Sequence, residues 1–110
     1  MDNPYAPCRL IEYGSGDYGL ILSDAHFVHY DVFEELGREG NGYDWCSVVD
    51  WLARSEHPAW AQHVSYHPEA GMFVARSADR AVLGAVAGLI RRALHDKDVL
   101  RDAITHAELD

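Results

Sequence analysis

At 110 residues the chain has the length of one domain, and roughly two-thirds of its unfolded surface can be buried, enough for a single core but not for a deep, multi-layered active site. A hydrophobic content of 48%, with 11% aromatic residues, excludes a disordered chain. Nine basic against eighteen acidic residues give a formal net charge of −9, which argues against nucleic acid as a partner, because affinity for phosphates comes from Lys and Arg; it fits either solubility or attraction to a cationic protein.

Residues 8–13 and 18–23 are two apolar runs separated by Gly14-Ser15-Gly16-Asp17, the pattern of a β-hairpin. From Asp24 the period changes: His29, Val32, Phe33 and Leu36 fall on one helical face, and Gly37 is a helix stop. Gly40-Asn41-Gly42 predicts a tight turn. A second helix starts near Asp44, as N-cap or first-turn acid, with Trp45, Val48, Val49 and Leu52 facing the core and Trp51 about a third of a turn off that stripe. Pro58 is expected to terminate this region.

Residues 62–67 alternate as a strand with Val64 and Tyr66 on one face; Pro68–Gly71 turns, and residues 72–76 return as its partner. Ser77 is the expected N-cap of a helix over 78–95, whose Gly84 and Gly88 permit close approach of another element. A last helix covers 97–108. The order ββααββαα predicts an α+β fold: a four-stranded, mainly antiparallel sheet of two hairpins, with helices on one face. One domain spans residues 1–110, with its core at about 8–105.

The residues that carry chemistry form no recognisable centre. Cys8 and Cys46 make no Cys-x-x-Cys pair and read as free, partly buried thiols. His63 and His67 share a strand face but stand about 13 Å apart at strand rise, and His26-x-x-His29 lacks a third ligand, so no metal or other cofactor is expected. A Cys46–His63 or Cys46–His67 nucleophile has no supporting signature, and Gly14-Ser15-Gly16 is not a phosphate loop. No catalytic residue is assigned. The N-terminus lacks the features of a signal peptide and no stretch approaches the length of a membrane span, so the chain reads as cytoplasmic, with no membrane partner.

Two segments stand out instead. Gly40-Asn41-Gly42-Tyr43-Asp44-Trp45 places aromatic rings and an acid on a turn at a helix start, and His67-Pro68-Glu69-Ala70-Gly71-Met72-Phe73 places a carboxylate at a hairpin tip. Packing alone would account for both; as an exposed patch they have the composition of a protein-binding hot spot. Tyr43, Asp44, Trp51 and Glu69 are the candidate contacts, with Asn41 holding the turn. On this reading Trp51→Ala weakens binding and leaves stability intact, and Trp45→Ala does the reverse.

These segments, with Tyr30-Asp31-Val32-Phe33-Glu34-Glu35 and the apolar strand 18–22 before them, resemble immunity protein family 51 of bacterial polymorphic toxin systems. The resemblance covers about residues 8–105, is most specific over 33–73, and has no departure at the Gly, Asn, Tyr, Trp or Glu positions. It implies an α+β domain that binds and blocks a toxin encoded beside it. It names no target and carries over no functional residues. Many toxins of such systems are basic and act on nucleic acids, so it also implies a cationic partner. Whether the protein is a monomer or a homodimer stays open, as do the rival readings of a small enzyme using Cys46 and the histidines, or a structural subunit pairing through Gly84 and Gly88.

Overall fold

The computed structural model describes residues 3–14 and 16–107. Strands β1 (Arg9–Tyr13) and β2 (Asp17–Ser23) form the first hairpin; Ser15 at its tip lies outside the described residues. Helices α1 (Tyr30–Glu35), α2 (Gly42–Glu56) and α3 (Pro58–Ala61) follow, then strands β3 (Ser65–Tyr66) and β4 (Met72–Ser77), and finally helices α4 (Arg80–His95) and α5 (Lys97–Ala107). The four strands lie in the order β1-β2-β4-β3, and every neighbouring pair is antiparallel. The α+β fold with two hairpins side by side is as the hydrophobic pattern predicts.

Register assigns the two faces. Leu20 and Leu22 of β2 stand opposite Ala75 and Phe73 of β4, all four buried, and helices α2 and α4 pack on this side. Trp45, fully buried, joins Phe33 and Phe27, with ring centroids 5.4 and 6.3 Å away. On the outer face Tyr13 lies across Gly19, where an added Cβ would fall 2.8 Å from its hydroxyl. Arg76 stacks over the same ring at 4.3 Å and pairs with Asp17 at 2.5 Å. A side chain at position 19 would displace that stack.

Several expected boundaries move, each for a local reason. The helix expected from Asp24 is divided: a 3-10 turn covers Asp24–His26, and α1 begins only after His29, whose φ of 63° is left-handed. The break lets Phe27 drop into the core beneath Trp45. Gly37, with φ of 75°, then ends α1 as expected: Arg38 N–H donates to the Phe33 carbonyl and Gly37 N–H to that of Glu34. Pro58 opens the short α3 instead of ending the region, its fixed φ suiting a first helical position. β3 is only two residues long. Asp79, not Ser77, caps α4, its carboxylate accepting from Ala81 N–H, while Ser77 is buried as the last residue of β4. Residue 108, expected to end the last helix, lies outside the described residues.

Candidate functional site

The turn before α2 is held by its own side chains. Asn41 is the N-cap: its Oδ1 accepts from Asp44 N–H at 3.0 Å, and its Nδ2 donates to Glu39 Oε2 at 2.9 Å. Asp44, at the third helical position, turns its carboxylate back beneath the loop. It accepts from Gly40 N–H at 2.8 Å, Glu39 N–H at 3.1 Å and Arg38 Nη1 at 2.9 Å. Asp44 is thus a buried clamp and not a surface contact, since three donors enclose it.

The turn in turn grips the second hairpin. Gly42 N–H donates to the Ala70 carbonyl at 2.9 Å, and a Cβ on Gly42 would fall 2.0 Å from the Glu69 carbonyl oxygen and 2.3 Å from that of Met72. Only glycine fits there. The hairpin tip is tied on its other side too, where Asp24 N–H donates to the Gly71 carbonyl at 3.0 Å. Three connections, residues 24–29, 37–42 and 67–71, therefore meet in one hydrogen-bonded rim.

This rim carries the large apolar side chains that stay exposed among the described residues: Val28, Tyr30 and Tyr43, at 42%, 47% and 54%. Tyr30 leans on the turn, its Cδ1 3.1 Å from the position a Gly40 Cβ would take. Glu39 and Glu69 are exposed beside them. Of the predicted contacts, the structure brings Asn41, Tyr43 and Glu69 together here. Trp51 sits elsewhere, eight residues or about 12 Å further along α2, half-buried and stacked on His106 of α5 at 4.8 Å. Its position at the edge of the stripe is as expected, but its ring belongs to a helix–helix seam. Val28, Asp24 and Glu39 carry no signal of a contact in the sequence, and Tyr30 figures there only within the segment 30–35 that carries the family resemblance, not as a contact. Tyr30 was detectable, since it falls outside the stripe of Val32 and Phe33; Val28 and Asp24 reach the rim only through the break before α1.

The groups suited to catalysis are separated. Cys46 is buried, its thiol directed at the Val74 carbonyl 4.0 Å away, and burial pushes its pKa up to about 12. Burial likewise pushes Cys8 up to about 12. Both are neutral thiols, the unreactive form. His67 meets Ser65 Oγ at 3.1 Å on the surface, and His63 lies outside β3. No group of three His, Cys, Asp or Glu among the described residues is placed to hold a metal ion. No helix among them is long and apolar enough to cross a membrane. Gly84 is already covered by the chain itself: Tyr5 lies 3.7 Å from its Cβ position, and Arg91 ties the same N-terminal segment down by donating to the Pro4 and Ala6 carbonyls.

The molecule is thus an α+β domain whose distinctive exposed feature is a rigid rim of aromatic and acidic side chains. The family model described as Immunity protein 51 matches residues 8–109, nearly the whole chain, and the protein belongs to that family. No curated protein and no solved structure matches it.

Proposed function

We propose that this immunity protein binds a cognate toxin of a bacterial polymorphic toxin system and neutralises it by occlusion, without catalysis of its own. Family membership over residues 8–109 carries the reading. The partner is a basic, nuclease-type toxin encoded beside this chain, met in the cytoplasm, and the net charge of −9 favours its approach. Blocking an active site or substrate channel takes an interface of ordinary size, roughly 800 Å² on each partner.

Co-expression tests this. The product of the neighbouring gene should arrest growth of a bacterial host when expressed alone. Growth should return when this chain is expressed with it, and the two should co-purify. Absence of both rescue and co-purification would sink the proposal.

A further inference from the structure

We infer that the toxin docks on the three-connection rim, with Tyr30 and Tyr43 as aromatic anchors and Asp24, Glu39 and Glu69 as an acidic border, and that the seated segment is a loop bearing Lys or Arg. The inference rests on the immunity reading and adds the surface and the chemistry of what it holds.

Exposure is the first observation. Large apolar side chains are normally withdrawn from water, yet those left exposed among the described residues lie on this one rim, Val28 on a connection and Tyr30 and Tyr43 in the first turns of α1 and α2 beside it. Rigidity is the second. Asn41, Asp44 and the Gly42 contact fix the turn, so Tyr43 and Tyr30 would lose little freedom on binding, and tyrosine on a fixed frame is a common anchor of tight interfaces.

Charge identifies the occupant. Elsewhere the carboxylates of Asp17, Asp31, Glu35, Asp50 and Glu56 are answered by Arg76, Lys97, Arg101, Arg54 and Arg92. Asp79 and Asp96 accept from backbone amides at helix starts, and Glu12 and Glu34, on separate elements, have no ion pair among the described residues. On the rim, Asp24, Glu39 and Glu69 have no ion pair among the described residues, and the nearby Arg38 is taken by Asp44. A guanidinium or ammonium from the partner can pair with these acids while its aliphatic stem lies on a tyrosine face. The outer sheet face differs in this respect, since its Arg76 and Asp17 already neutralise each other.

Binding of the neighbouring gene's product, disarmed by mutation of its own active site, is measured by titration calorimetry. Three variants of the full chain are compared with the wild type: Tyr30→Ala with Tyr43→Ala; Asp24→Asn with Glu39→Gln and Glu69→Gln; and a remote triple of equal charge at the opposite ends of β2 and α2, Glu12→Gln with Asp17→Asn and Glu56→Gln. The tyrosine pair should lose about 100-fold or more in affinity and the rim triple about tenfold or more, while the remote triple changes it less than about threefold. Tyr43→Ala alone, whose ring is the more exposed, serves if the pair lowers the melting temperature. Unchanged affinity in the tyrosine variants, or equal losses from the two triples, overturns the surface and leaves the immunity reading standing. Absence of binding by the wild type overturns both.

Discussion

Asp44 illustrates how one side chain can set a whole turn. Its carboxylate is almost fully enclosed and answers two backbone donors and the Arg38 guanidinium at once. Asp44→Ala would leave a guanidinium and two amides without their acceptor, so a loss of about 2–4 kcal/mol is expected in urea unfolding. Asp44→Asn, which keeps one acceptor oxygen, should lose less. A cost below about 0.5 kcal/mol for the alanine variant would mean the carboxylate does not hold the turn. The sequence made Asp44 look like an exposed acid at a helix start because first-turn acids usually are; nothing in the spacing says that Gly40, with φ of 77°, folds the chain back over it. The thiols give a second test. Cys8 and Cys46, both raised from 9.0 to about 12 by burial, favour the fold in their neutral form. That contribution is complete below pH 9 and is lost as pH rises towards 12, because unfolded thiolates form first. At pH 8 a disulfide reagent should label neither thiol in the native protein and both in denaturant. Rapid native labelling would contradict the burial.

Elements are held together here by close backbone approach as much as by apolar area. Gly42 is where the start of α2 passes the tip of the β3–β4 hairpin, and its would-be Cβ meets two backbone carbonyls that cannot move aside. Gly42→Ala should therefore cost about 3 kcal/mol or more, beyond ordinary overpacking, whereas Gly14→Ala, with nothing within 4 Å and no positive φ, should stay within about 0.5 kcal/mol. Thermal melts of the two variants decide it, and similar melting temperatures would refute the contact. The α2–α5 seam makes the opposite correction. Because Trp51 stacks on His106 and packs against the core, Trp51→Ala should lower stability by about 1–2 kcal/mol, less than the 3–5 kcal/mol expected for Trp45→Ala but not zero. An unchanged melting temperature would return Trp51 to the free surface. The sheet, its four strands and the core stripe of α2 were legible because periods of 2 and 3.6 residues report burial directly. The break at His29, the α3 turn at Pro58 and the meeting of Gly42 with residues 69–72 were not, since each depends on what packs against a segment and not on the segment itself.

For the molecule as a whole, the question is how far its charge reaches. The radius of gyration is 13.1 Å and the longest extent 41 Å. At an ionic strength of about 0.1 M the screening length is about 10 Å, so a partner arriving at the rim feels the rim acids but few of those on the far side. At about 0.01 M the length grows to about 30 Å, and most of the net charge of −9 acts on the encounter. For a cationic toxin, the association rate should therefore fall about tenfold or more between about 0.01 and 0.3 M salt, with dissociation changing much less. The two charge triples sharpen this further. At low salt both should slow association by similar factors, because each removes three charges from the same total. Near 0.15 M only Asp24→Asn with Glu39→Gln and Glu69→Gln should still do so, because only those charges lie within a screening length of the docked cation. Stopped-flow measurement across this salt range separates the two contributions. A rate flat in salt would remove charge from the encounter, and a remote triple that slows association at 0.15 M as much as the rim triple would mean that the toxin approaches another face.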